Sequence, residues 1–466
     1  MNASQASASP AAPAARLLRA RILRAAGWLV GSQVGAQALR LASSLVLTRL
    51  LLPEDFGLMA AAGTAYFALV MCSDLGVWQT IVRTDRADDA RLLGTAWTVQ
   101  LGRAALLALV VLGFAAMLEA GRGLGVFAAA TVYGDARLAP IVAVFALCAL
   151  VQGGESMKLA LAQRELQGRL LARLELLSQL VATAVTVALA SATQSVWSLP
   201  AGTLAASLVR TAMSHWGLSG PSIRPGWDRA AAAEILGFGR WIFLSSMLGF
   251  AAAHGEKILL GASLSTASFG LFSVASALLA AAAGVQSSVN AQVVYPSLSL
   301  ALRADPLALR QMVGRVQQGV DLLLGVLSGL LLVAGPSIVG LLYSGRFQAA
   351  GWMLQCLAPG LLALRHQVVE QIMFAQGKPV WVSANNALRV VALLVFVPGG
   401  AALAGERGAL LGAMASQFAS WPLSLWFKQR SGLLCLATEQ WWPPALALGL
   451  GAGWGLDAAL GAVSRH

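Results

Sequence analysis

The chain has 466 residues, of which 58% are hydrophobic and only 11% charged, with a formal net charge of +12. A soluble chain usually carries roughly 25% charged residues. An ordinary soluble enzyme or nucleic-acid-binding domain is therefore excluded, and the cations lie mainly in short loops between apolar segments instead of on one basic face.

Residues 1–20 read as a disordered cytoplasmic tail, small, polar and Pro-containing through Ala15 and then basic at Arg16 and Arg19. The apolar run that follows is longer than the roughly 7–15 residues of a signal-peptide core, so it is expected to be retained. Windows of about 20 mostly apolar residues, enough to cross a bilayer, recur at 26–48, 57–80, 93–117, 139–160, 171–191, 197–216, 241–262, 269–291, 319–342, 352–374, 380–403 and 408–427. A thirteenth apolar stretch covers 443–463. With the N-terminus inside, the inner segments and span edges hold 20 Lys and Arg and the outer segments 5. That bias follows the positive-inside rule, and it predicts a multi-pass protein of the cytoplasmic (inner) membrane with a cytoplasmic N-terminus. The four cysteines (Cys72, Cys148, Cys356, Cys435) are scattered without metal spacing, and no Walker A pattern occurs. No metal or cofactor is expected.

The chain also repeats itself. Trp28 precedes Phe56-Gly57-Leu58 by 28 residues to the Phe, and Trp241 precedes Phe269-Gly270-Leu271 by the same 28, at an offset of 213. The predicted fold is an all-α polytopic membrane protein of two six-helix halves related by a parallel repeat around a central cavity, plus a C-terminal apolar segment. The expected division is a tail (1–20), an N-terminal lobe (21–216), a cytoplasmic linker (217–236), a C-terminal lobe (237–430) and an extra membrane segment (431–466). Parallel repeats suit transporters that rock one half against the other around a midplane site.

From Thr48 to Leu58 the sequence reads TRLLLPEDFGL, and the next span ends in Asp74-Leu75-Gly76. The second half carries a weaker form at Phe238-Gly239, Glu256-Lys257-Ile258 and Phe269-Gly270-Leu271-Phe272-Ser273. Val294-Tyr295-Pro296 and Leu341-Leu342-Tyr343-Ser344-Gly345-Arg346 fit as well. The chain resembles the Wzx-like polysaccharide flippases of the multidrug/oligosaccharidyl-lipid/polysaccharide exporter superfamily, over nearly its whole length to Arg430. It departs from that pattern in having Glu at 256, where Asp is common, and one apolar stretch after Arg430 where two are frequent. The resemblance implies movement of a lipid-linked oligosaccharide, usually on undecaprenyl pyrophosphate, from the inner to the outer leaflet for cell-surface polysaccharide biosynthesis. A polymerase and glycosyltransferases of the same pathway are the implied partners.

Such cargo needs fixed cations at mid-membrane, and arginine binds phosphate oxygens through a planar fork. Arg40, Arg103, Arg365 and Arg389 lie near the middle of their spans, two in each half, and are the candidate substrate-binding residues. The alternative for each is a structural pairing with an acid. Arg210 sits near an inner end and could snorkel; Lys257 follows Glu256, where a local ion pair is the default. For ion coupling the candidates are Glu370 with His366, four residues apart on one helix face, and Asp74. A static His–Glu hydrogen bond beside Arg365 is the alternative there. Two other function classes remain: a small-molecule antiporter of the same superfamily, for which cavity acids are expected, and a membrane glycan polymerase or ligase. The longest outer loop, about 118–139, is too short for a catalytic domain, so no enzymatic activity is expected.

Overall fold

A computed structural model describes residues 11–83, 89–165, 167–220, 223–289, 306–376, 378–435 and 439–463. Arg86, Val294-Tyr295-Pro296 and Arg303 lie outside them, as do residues 1–10 of the expected tail. The chain is helical throughout, with one isolated bridge (Thr131 to Ser265) among the described residues. The N-terminal half holds α1 (Ala11–Leu50), α2 (Pro53–Cys72), α3 (Val77–Arg83), α4 (Ala90–Gly123), α5 (Leu138–Gly153), α6 (Lys158–Arg164), α7 (Gly168–Thr193) and α8 (Ser198–Trp216). The other half holds α9 (Arg229–Ser263), α10 (Thr266–Val289), α11 (Pro306–Leu342), α12 (Ala350–Leu357), α13 (Gly360–Ala363), α14 (Gln367–Ala375), α15 (Pro379–Gln417) and α16 (Trp421–Arg430), followed by α17 (Trp442–Val463).

Helix α1 starts at Ala11, so residues 11–20 of the expected tail are helical; Ala, Leu and Arg are strong helix formers, and Pro13 falls in the first turn, where its missing N–H is not needed. Among the described residues six helices are long and apolar enough to cross a membrane, or seven if the bent pair α5–α6 is counted as one span. The other expected spans sit in helices whose polar residues dilute the apolar run, such as His254, Glu256 and Lys257 in α9, or in short pieces, as from Ala350 to Ala375.

Three expected spans are broken. The second ends at Cys72: Ser73 Oγ donates to Val70 O (2.9 Å), Asp74 Oδ1 accepts the Gly76 N–H (3.0 Å), and Gly76 takes φ +64°. Only glycine adopts that conformation without strain, which gives the Asp-Leu-Gly motif its physical meaning. The fourth span bends by 66° between α5 and α6, and the tenth divides into α12, α13, a 3-10 turn at Leu364–His366, and α14.

Packing follows the sequence repeat. In the first half α1 packs on α7, α2 on α5, and α4 on α5; in the second α9 packs on α15, α10 on α12, and α11 on α12. These are the same pairs displaced by one repeat. The two halves meet along α2 and α10, where the duplicated Phe-Gly-Leu segments cross. A methyl group at Gly57 would lie 3.0 Å from Gly270 N, and one at Gly270 would lie 3.1 Å from Gly57 N and collide with the Pro53 carbonyl. Small residues let membrane helices approach this closely. Phe269, Phe272, Leu58 and Leu264 are fully buried around the crossing, Arg137 pairs with Asp55 (3.4 Å), and Ser268 Oγ donates to Glu406 (3.0 Å). This end of the bundle is closed. Gly270→Ala is expected to lower the thermal midpoint of the detergent-solubilised protein, since overpacking a tight contact costs about 1–3 kcal/mol. Gly340→Ala, with nothing within 4 Å, is the matched control and is expected to leave it unchanged.

The C-terminal helix α17 docks on α11 through two facing Gly-x3-Gly pairs, Gly325 with Gly329 and Gly449 with Gly453.

Candidate functional site: a cavity in each half

The cavity of the N-terminal half, about 240 Å³, lies where α2 and α5 are broken. Arg103 on α4 reaches the end of α2: its Nε donates to Ser73 Oγ (3.2 Å) and an Nη donates to Val70 O (3.2 Å). Its other Nη stands 4.0 Å from Asp74 Oδ1. A helix C-terminus attracts a cation through its unpaired carbonyls, and the Asp-Leu-Gly break creates that end. Gln100 Nε2 donates to Gly153 O (3.0 Å) and Glu155 O (3.1 Å), bracing the second break. Tyr66 OH donates to Gln152, which in turn donates to Ser207. Arg210 bridges Glu155 (2.9 Å) and Glu175 (3.0 Å) and is a paired cation instead of a snorkelling one. This wall thus carries one cation, Arg103, and two acids, Asp74 and Glu155, with amides, a phenol and Trp78 between them.

The cavity of the C-terminal half is larger, about 400 Å³, and differs in charge. Its wall includes His254, Glu256 and Lys257 of α9 and Asn386, Arg389 and Gln417 of α15. Arg389 donates through an Nη to Gln417 Oε1, and Gln417 Nε2 donates to Glu256 Oε2 (3.3 Å). The Nε of Arg389 is buried without a hydrogen-bond partner. His254 lies between Phe67 (5.1 Å) and Phe250 (5.3 Å). Phe67 belongs to α2, so this wall reaches toward the other half.

Two of the four sequence-selected arginines therefore line cavities, Arg103 and Arg389. Arg40 is exposed at the α1–α7 seam, donating to Gln37 (3.1 Å) and Gln179 (3.4 Å). Arg365 lines neither cavity. It is 3% exposed, and its guanidinium grips Asp321 (3.0 and 2.7 Å) and Glu439 (2.9 Å) while lying over the Trp421 ring. Lys428 completes the cluster by donating to Gln317 (3.0 Å) and Glu439, and Gln317 donates to Asp321 (2.7 Å). Two cations and two carboxylates balance here.

Asp74 is at the N-terminal wall beside Arg103. His366 and Glu370 form no hydrogen bond to each other among the described residues. His366 closes the 3-10 turn and Glu370 sits in α14; a 3-10 turn advances about 120° per residue, so the shared face of a continuous helix is lost. His366 instead packs against Trp421 (5.4 Å) with Nε2 unpartnered, and Glu370 faces the charge of Arg389. The sequence reading missed Gln100, Gln152 and Gln417. Glutamines inside apolar spans at 100, 152 and 417 were the available signal.

The profile of polysaccharide biosynthesis proteins matches residues 46–350. The chain belongs to this family. A curated relative, the succinoglycan biosynthesis transport protein ExoT of Rhizobium meliloti (strain 1021), is 24% identical over 347 residues, 74% of this chain and 66% of that protein. In fold this family member is similar to an inward-facing multidrug resistance MATE family transporter of the MOP superfamily, at a TM-score of 0.67 and 15% identity over 87% of this chain and 96% of the other. It is also similar to the lipid II flippase MurJ in an inward closed conformation, at a TM-score of 0.63 and 10% identity over 94% and 99%. The family member is a multi-pass, all-α membrane protein of polysaccharide biosynthesis.

Proposed function

We propose that this protein is a flippase that carries a lipid-linked oligosaccharide across the cytoplasmic membrane by alternating access. The observation that carries the reading is the C-terminal wall, where Arg389 holds a buried, unpartnered Nε beside Lys257 and His254, with Glu256 as the acid opposite. A buried donor without a partner is costly, and a phosphate oxygen would satisfy it. The N-terminal wall, with Trp78, Tyr66 and amides around Arg103 and its neighbouring acid Asp74, suits a neutral polyhydroxyl chain. In this reading the phosphates sit on Arg389 and Lys257, the glycan extends along the Arg103 wall, and the prenyl tail stays in the bilayer. In this reading the α2–α10 crossing is the outer closure, and the cargo enters from the cytoplasmic side. Asp74, already 4.0 Å from Arg103, is the coupling carboxylate of this proposal. Its protonation would free Arg103 for the cargo. The relative's name and the flippase fold support a sugar-polymer pathway. The MATE-like fold keeps a small-molecule antiporter as the second reading, although an organic cation would meet more cations than acids at the C-terminal wall.

The test is the sidedness of the cargo. Deleting the gene is expected to leave lipid-linked glycan accumulated and protected from a membrane-impermeant glycosidase, and complementation to expose it. Unchanged exposure in a strain with no second flippase would favour the antiporter.

A further inference from the structure

The face of the C-terminal half that the cation count assigns to the cytoplasm carries a cleft of about 410 Å³ separate from both cavities. It opens between the start of α15 and the end of α16. Trp381 of α15 and Trp426 of α16 form its aromatic floor, with ring centroids 5.0 Å apart. Two cations stand at its rim: Lys378 lies over the Phe427 ring (5.7 Å) and Arg430 over the Trp426 ring (5.3 Å). Neither forms an ion pair with a carboxylate among the described residues. Their neighbour Lys428, by contrast, turns inward and is paired with Glu439. The start of α15 has no side-chain cap, so the positive end of its helix dipole adds to the cleft.

We propose that this cleft binds the phosphate headgroup of an anionic phospholipid. Three features select that ligand. Two uncompensated cations on flexible stems suit a phosphate monoanion or a pair of phosphates, and basic pockets between membrane helices on the cytoplasmic side take such headgroups. Tryptophan is enriched at the membrane interface, where headgroups lie. From the cleft an exposed apolar stripe descends α15 through Val380, Leu388, Val391 and Val395. At 1.5 Å per residue it is about 22 Å long, which matches an acyl chain lying along the helix. A soluble phosphate ester would use the cations but not the stripe. The inference is independent of the transport reading, because the cleft belongs to neither cavity.

The test is lipid retention by the full chain. The protein is reconstituted in nanodiscs of phosphatidylcholine with one tenth cardiolipin or phosphatidylglycerol, extracted, and analysed by native mass spectrometry. The wild type is expected to retain anionic lipid at least about fivefold over the Lys378→Gln/Arg430→Gln variant, because cations beside the membrane surface attract anionic headgroups. Arg346→Gln, which removes an exposed cation elsewhere, is expected to retain lipid like the wild type. Because Lys378 and Arg430 are exposed, both variants should fold, and an unchanged thermal midpoint in detergent verifies this. Equal retention by the double variant overturns the proposal. Displacement of the lipid by millimolar glycerol phosphate would overturn the choice of a lipid and assign the cleft to a soluble phosphate ester.

Discussion

On the proposed flippase reading, replacing Arg389 with Gln is expected to cut export of the surface polysaccharide by roughly tenfold to a hundredfold while leaving the protein folded. Hydrogen bonds to a charged partner contribute about 1.5–3 kcal/mol, and each 1.4 kcal/mol is about tenfold. The fold should survive because Arg389 has one hydrogen-bonding partner, Gln417, and no ion pair among the described residues. Arg389→Lys keeps the charge but loses the planar fork, so it should fall between the wild type and Gln. Arg103→Gln should be less selective in its effects, since Arg103 also holds the broken end of α2 through Val70 O and Ser73. Quantifying polysaccharide from complemented deletion strains, normalised to membrane protein content, measures all three. Export by Arg389→Gln equal to the wild type would remove it from the cargo path.

Membrane insertion, the helical class and the paired Phe-Gly-Leu segments were legible in the sequence because hydrophobic length and repeat spacing are local, additive signals. The crossing of Gly57 with Gly270 gives that repeat its packing role. The breaks were less legible, except that Pro359-Gly360 marks one inside the tenth expected span. Hydropathy runs straight through Asp74-Leu75-Gly76 and through the stretch from Ala350 to Ala375, whereas the backbone stops where Asp74 and Ser73 capture it or where Pro359 intervenes. Those breaks decided which charged residues could share a face. They separated His366 from Glu370, which a continuous helix would have joined. The four arginines looked equivalent as mid-span charges, and only tertiary partners distinguish them. For Arg365 those partners are Asp321, 44 residues away, and Glu439, 74 residues away and outside any expected span. The facing Gly-x3-Gly pairs that seat α17 were present in the sequence, but each is meaningful only once its partner helix is known.

That difference in partners makes Arg365 the second decisive test. Arg365→Met is expected to destabilise the protein by about 3–5 kcal/mol, the range for breaking a buried ion pair from one side. It leaves Asp321 buried with only Gln317 and the Lys428 charge nearby, and it removes one of the two cations that hold Glu439 ahead of α17. The thermal midpoint in detergent should fall sharply, and protease cleavage should rise between α16 and α17. Adding Asp321→Leu removes the stranded carboxylate while Lys428 still holds Glu439. Because a buried pair can often be exchanged for apolar residues without loss, the double variant should recover most of the midpoint. Its export then discriminates the two roles of this arginine. If Arg365 only ties α11, α16 and α17 together, export should return with stability. If it also contacts cargo, the double variant should be folded and still inactive, and the phosphate path would have to run from Arg389 into the Asp321–Glu439 cluster.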